Sequence, residues 1–410
     1  MSKKLTPNVR FKGFSDDWEK RKLEQVVSNL RSYSLSRKVE SSYPTHTKYI
    51  HYGDIHTRRA AKITSLSQLP DIIDGNYDYI SYGDIAVADA SEDYKDIAIP
   101  TILLSEDKNY SVVSGLHTIA FRPDKRMNPL FLYYLLFTQD FKHFVYREGQ
   151  GLKVFGITKD NLFKYPISYP IKDEQNQVVQ VFESLVSTIA SNQKQLDQLK
   201  MLKKLFLQKI FDQEWRFKGF TDPWEQRKVS NLAEKTYGGG TPKTNKPEFW
   251  DGNIPWIQSS DLALGKVSTV NTRKYITNDA IEESAAKIIP ANSIAIVTRV
   301  GVGKVAFISF PYATSQDFLS LSSLTEDPVF STFLFSKLME KESQSTQGTS
   351  IKGVTKKKVL AERVRIPTTM SEQFNIGILL KSLDSTIASN QKQLDQLKQL
   401  KKWFLQNLFV

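Results

Sequence analysis

The chain has 410 residues, 40% of them hydrophobic, no cysteine, and a formal net charge of +12. The missing cysteines exclude disulfides, thiolate metal sites and a cysteine nucleophile. No apolar run reaches the roughly 18 residues that a membrane span needs, and the opening "MSKKLTPNVRFKGF" lacks the apolar stretch of a signal peptide. These features predict a cytoplasmic protein, and the basic balance predicts a polyanion as partner.

The first recognisable segment is a tryptophan-bearing leader, "RFKGFSDDWEKRKL" from Arg10. Clusters of apolar and β-branched residues follow, separated by turn signals. "YISYGDIAVADAS" (Tyr79 to Ser91) predicts two strands about a Gly-Asp turn, and "VVSGLHTIAFRP" (Val112 to Pro123) a further pair or a bent strand. "PLFLYYLLFTQDFKHFVYR" (Pro129 to Arg147) predicts one amphipathic helix with proline in its first turn. A long helix comes next, since residues 176–211 contain neither proline nor glycine and would span about 50 Å.

The order then repeats. "RFKGFTDPWEQRKV" starts at Arg216, an offset of 206 from Arg10. In the second body, "IPANSIAIVTRVGVGKVAFIS" (Ile289 to Ser309) predicts strand, glycine turn and strand. "PVFSTFLFSKLMEKES" (Pro328 to Ser343) predicts a proline-opened helix. The long helix returns letter for letter: "STIASNQKQLDQLK" occupies Ser187 to Lys200 and again Ser385 to Lys398, an offset of 198. The bodies are much less alike and share mainly a G-x-x-x-x-G-[IV]-T skeleton near their ends. A period near 200 residues is far beyond the roughly 20 to 50 of a solenoid unit and denotes duplicated domains. Such a pair can pack about a pseudo-two-fold axis.

Within the helices, Phe182, Leu185, Ile189, Asn192, Leu196 and Leu199 are spaced 3, 4, 3, 4, 3, and so are Leu380, Leu383, Ile387, Asn390, Leu394 and Leu397. This is a heptad seam. It is expected to continue, in shifted phase, through Leu202 and Phe206 and through Leu400 and Phe404. The two helices are expected to pack antiparallel. Asn192 and Asn390 interrupt the seams, where a polar residue fixes register at a cost in stability; a solvated position at the seam's edge is the other reading.

The predicted fold class is therefore α+β: two mixed α/β globular domains and two long antiparallel coiled-coil helices, as an internal repeat. The expected boundaries are a leader over 1–23 near the C-terminal helix, a first domain over 24–170 and a central helix over 171–213. A second domain with its leader follows over 214–367, and a final helix over 368–410.

Catalytic signatures are weak. "RVGVGKV" (Arg299 to Val305) has the glycines of a phosphate loop, but valine follows its lysine and its flanks are strand-like, so a hairpin is expected. Pro70–Asp71 with "DYK" (Asp93 to Lys95) only superficially resembles a metal-nuclease pattern, and "SEDYKD" reads as a loop. His46, His51 and His56 lie five apart, which suits neither a helical face nor a zinc motif. No G-x-G-x-x-G opens a helix after a strand, so no dinucleotide or adenosyl pocket is predicted. The visible chemistry is polar and basic: "YGGGTPKTNKPEFW" (Tyr237 to Trp250), "IPWIQSSDL" (Ile254 to Leu262) and "IKGVTKKK" (Ile351 to Lys358). Lysine there can neutralise phosphate, and Gln, Ser and Asp can bond base edges.

With these segments in view, the chain resembles the specificity subunits of type I restriction–modification enzymes. The resemblance rests on "GGGTPKTNKPEFWDGNIPWIQSSDL", "TRVGVGKVAFI", "QGTSIKGVTKKKV" and the duplicated "IASNQKQLDQLKxLKKxFLQ" helix, with looser matches at "SYGDIAVADAS" and "GLKVFGITKDNL". It implies that each body is a target recognition domain reading half of a split DNA site, and that the helices are the spacer. It also implies that two modification subunits dock on this scaffold, that restriction subunits join them, and that this chain itself is not catalytic. S-adenosylmethionine, ATP and Mg²⁺ would then belong to partner subunits, with no cofactor here and no membrane contact. On that footing Lys153, Lys243, Lys246, Lys304 and Lys352 are candidate phosphate contacts. His51, Arg58, Thr241, Gln258, Ser259, Arg299 and Gln316 are candidate base readers. The alternative is a structural adaptor whose coiled coil joins two modules that do not bind DNA.

Overall fold

The computed structural model describes residues 5–58, 60–151, 154–346 and 353–410. The chain divides into two compact units, one built on residues up to Ser191 together with Gln393–Val410, the other on Asn192–Lys392.

In the first unit, a five-stranded sheet runs in the order Val27–Leu30, Thr118–Pro123, Ile85–Ala88, Pro100–Leu103, Lys62–Ile63. A three-stranded sheet runs Asp71–Ile72, Thr47–Ile50, Ser111–Ser114. Ile85–Ala88 is buried on both faces. Side chains alternate along a strand, so Ile85 and Val87 enter the core with Phe121, Phe131 and Phe182, while the small Ala86 and Ala88 face a second cluster around Ile50 and Ile63.

The second unit repeats this plan. A four-stranded sheet runs Ala233–Gly238, Phe318–Leu324, Ser293–Val297, Val305–Ile308, and a three-stranded sheet runs Lys274–Ile276, Ile254–Ile257, Ala313–Thr314. Ser293–Val297 and Val305–Ile308 pair antiparallel across a turn in which Gly301 and Gly303 have positive φ, so the "RVGVGKV" segment is a hairpin.

Each leader closes its own body. Glu19–Lys22 pairs with Pro166–Tyr169, and Glu225–Lys228 pairs with Arg363–Ile366. Trp18 and Trp224 are buried against Phe131 and Phe330 in edge-to-face contacts at 5.8 and 6.1 Å. Arg10 grips Glu174 through Nε and Nη2, both at 2.8 Å. Arg216 does the same to Glu372 at 2.9 and 2.7 Å. The following glutamines tie body to helix. Gln175 accepts from the Asn128 amide and donates to the Pro170 carbonyl; Gln373 accepts from the Asp327 amide and donates to the Pro367 carbonyl.

The two long helices are Lys172–Phe211 and Met370–Asn407, of 40 and 38 residues. In the first unit, Phe182 packs near Phe409, which follows the second helix, at 5.7 Å. In the second unit, Lys203 pairs with Asp384 at 2.5 Å. Within each unit, then, the opening part of one helix lies beside the closing part of the other, and the helices run antiparallel.

Two expectations are corrected. The segment 129–147 is two helices, Pro129–Leu135 and Gln139–Glu148. Thr138 breaks it: its hydroxyl donates to the Leu135 carbonyl and accepts from the Phe141 amide, capping a new helix. The seam also does not continue through Leu202 and Leu400, which are 38% and 40% exposed. An α-helix drifts about 20° per heptad against a strict seven-residue repeat, and by that point Lys203 has turned inward, its side chain 12% exposed. Its ammonium also donates to the Gly265 carbonyl at 2.7 Å.

Candidate nucleic-acid interface

The two bodies can be aligned by main-chain hydrogen bonds alone. Asp89 N donates to His117 O at 3.1 Å, and Thr298 N donates to Asp317 O at 2.8 Å. Ile157 N donates to Asp89 O at 2.9 Å, and Val354 N donates to Thr298 O at 2.7 Å. Ile157 and Val354 are the [IV] of the shared G-[IV]-T skeleton. The threonines after them, Thr158 and Thr355, cap the helices Lys159–Phe163 and Lys356–Ala361. The skeleton therefore clamps one corner of each body, where the strand Ile85–Ala88 or Ser293–Val297 ends beside the start of Thr118–Pro123 or Phe318–Leu324.

The side chains at that corner differ completely. In the second body, Arg299 lies 3.8 Å from Asp317, and Thr241 donates to Gln316 Oε1 at 2.6 Å. Lys356 approaches Gly238, at the head of the glycine loop; burial, then the nearby Arg299, holds its ammonium below the usual lysine range. In the first body Asp89 stands at the place of Thr298 and His117 at that of Asp317, with His117 Nδ1 3.1 Å from Asp89 Oδ1. The Tyr52 ring meets the His117 ring edge-to-face at 5.3 Å. Burial pushes the Asp89 carboxyl above its ordinary value, against the pull of His117.

A second equivalence adjoins each corner. Asp54 N donates to His51 O and Asp261 N to Gln258 O, both at 2.9 Å, and both aspartates are buried. Arg37 bonds Asp54 at 2.9 Å, while Arg273 stands 3.7 Å from Asp261. His51 and Gln258 thus occupy matching places. His51 is 6% exposed and its Nδ1 accepts from Gly53 N, capping the short helix Tyr52–His56. Burial, then the neighbouring Arg37, lowers its pKa.

Of the residues singled out from sequence, Thr241, Gln258, Ser259, Arg299, Gln316, Lys243, Lys246 and Lys304 belong to the second unit, and His51 and Arg58 to the first. Lys304 donates to Ser259 O at 2.8 Å. Lys246 pairs with Glu283 at 2.9 Å and sits over the Phe249 ring. Lys243 is exposed, and its carbonyl accepts from Trp250 Nε1. Arg58 has φ of 61° and lies over Phe137. Asn192 and Asn390 are half-buried, and Asn390 Nδ2 donates to Thr386 O in its own helix. Lys153 and Lys352 lie outside the described residues. In the glycine loop, a Cβ on Gly239 would fall 2.0 Å from Ser315 O, so that glycine admits the body's own strand rather than a ligand.

Sequence reasoning missed Asp89, His117, Asp317 and Lys356. Position relative to G-[IV]-T marks Lys356 directly; the others emerge only from strand register. Among the described residues, no group of three His, Asp or Glu side chains could hold a metal ion, and no helix is long and apolar enough to cross a membrane.

The family described as "Type I restriction modification DNA specificity domain" matches residues 15–201 and 221–399. The chain is similar to the type I restriction enzyme MjaIX specificity subunit of Methanocaldococcus jannaschii, 30% identical over 193 residues, or 46% of this chain and 44% of that protein. It thus spans about half the length of that relative. It is 25% identical over 406 residues to the putative MjaX specificity subunit of the same organism, covering 94% of this chain and 91% of the relative. The crystal structure of a type I restriction–modification S subunit from M. genitalium shares the fold at a TM-score of 0.60 and 12% identity, covering 99% of both chains. Two family matches, one on each copy of a repeated plan, take in most of the sequence: this chain belongs to the type I restriction–modification DNA specificity family.

Proposed function

We propose that this chain is the DNA-recognition subunit of a type I restriction–modification complex. Each body reads one half of a bipartite site, and the duplicated helices set the gap and dock two modification subunits, with restriction subunits joining them. One observation carries this reading: two bodies on one hydrogen-bonded frame, each clamped by the same Arg–Glu pair to a near-identical helix, present unlike side chains at the same corner. Identical supports suit two copies of one partner, and unlike corners suit two different half-sites. The net charge of +12 suits a DNA duplex. In this reading the chain acts in the cytoplasm and does no chemistry itself. S-adenosylmethionine, ATP and Mg²⁺ serve the partner subunits.

The test is methylome sequencing of a host carrying this chain and its modification subunit. The expected result is one methylated motif with two defined halves and a fixed gap. Absence of any such motif, with duplex binding that ignores salt, would return the structural adaptor as the better reading.

A further inference from the structure

Resting on that reading, the two corners differ in hydrogen-bonding polarity as well as in residue type. The second offers cationic donors, Arg299 and Lys356, beside Gln316 and Asp317. The first is a pocket of about 460 Å³ whose lining includes Tyr52, His56, Glu92, Asp93, Asp96 and His117. In a chain of net charge +12, this concentration of carboxylates repels phosphate, so the corner does not serve the DNA backbone.

Tautomer logic sharpens the contrast. The Asp89 carboxylate only accepts, so His117 must carry its proton on Nδ1, which leaves neutral His117 with an accepting Nε2. His56 Nε2 lies 2.8 Å from the Ala90 carbonyl, which also only accepts, so neutral His56 presents an accepting Nδ1. Among the described residues no other side chain bonds the Asp89 carboxylate. His117 is also a non-glycine residue with φ of 54°, a conformation costly enough to be kept where the surroundings over-determine it. The Tyr52 ring and the Asp89 bond hold the imidazole in place. The result is a preorganised set of acceptors at a corner where the second body carries Thr298 and Asp317 and sets Arg299 beside them.

We propose that Asp89 and His117 are the base-reading pair of the first body and that they select an amine-bearing base edge, cytosine N4 or adenine N6, in the major groove. Guanine O6/N7 and thymine O4 are acceptors and would meet acceptors there. In the second body the residue after Thr298, which matches Asp89, is a guanine-compatible donor, Arg299.

The experiment compares the wild-type complex with Asp89→Asn and with Asp89→Asn/His117→Gln, each expressed with the modification subunit, by methylome sequencing. Every base pair carries one of these amines, so the wild-type motif serves as the reference, and the reading is a change at one position of one half-site. The variants should lose discrimination at that position by about ten-fold, with the other half-site unchanged. A variant that methylates nothing is scored by competition between duplexes differing only at that base pair, at fixed salt. A bipartite wild-type motif that both variants reproduce unchanged overturns the assignment while leaving the recognition function intact. A change confined to the second half-site overturns it too. A wild-type complex with no bipartite motif removes the function and this assignment together.

Discussion

Arg216 holds Glu372 through two parallel hydrogen bonds, at 2.9 and 2.7 Å, with the carboxylate 2% exposed. Trp224 Nε1 adds a third bond to the same carboxylate at 3.3 Å. The pair joins a leader to the start of a helix 156 residues later, and Arg10 with Glu174 repeats it.

Arg216→Ala leaves a buried carboxylate without its cation. A cost of about 3–5 kcal/mol is expected, read as a fall in the denaturant midpoint. Arg216→Met with Glu372→Leu should recover most of that loss, because it removes the stranded charge.

At the seam, Asn192→Leu with Asn390→Leu is expected to raise the melting temperature and loosen helix register, since polar seam positions trade stability for register. A lower melting temperature would show that these side chains contribute more through bonds such as that of Asn390 to Thr386 O than they cost.

Acid stability should carry a mark from Asp71. Burial would push its carboxyl up, but hydrogen bonds from Lys48 and Thr45 outweigh this and hold it below the ordinary value. A depressed folded-state pKa gives stability that is present above the unfolded value and lost as pH falls through the folded one. Lys48→Met is therefore expected to flatten the stability-versus-pH curve below the ordinary carboxylate range, measured by denaturant melts at stepped pH.

For DNA affinity, Lys243→Ala is expected to weaken binding on every sequence and to reduce the salt slope by about 0.9. Lys246→Ala should do less, because its ammonium already pairs with Glu283. Titrations across a salt series separate the two.

The repeated plan, the long helices, the 289–309 hairpin and the proline-opened helix were legible because each has a local signal: periodicity, punctuation or literal repetition. The break at Thr138 was not, because the apolar pattern runs through it and the hydroxyl's two backbone bonds decide the matter. The inward turn of Lys203 was missed for a related reason: a heptad count ranks leucine above lysine until Asp384 and the Gly265 carbonyl are known to wait there. The Arg–Glu clamp was readable in principle, since both members recur in the repeat, but nothing nearby couples residues so distant in sequence. Asp89 and His117 could not be found by repetition at all, because at those positions the copies disagree. For the DNA-contact candidates, residue type alone did not separate an exposed lysine such as Lys243 from an occupied one such as Lys304.

The clamps of Ile157 on Asp89 and of Val354 on Thr298 run from amide to carbonyl and involve no side chain. Whatever amino acid stands at the corner, its backbone is gripped in the same way. Substitution at the clamped positions is therefore expected to cost the fold little, and under the proposed reading one body could change its target while the other keeps its own.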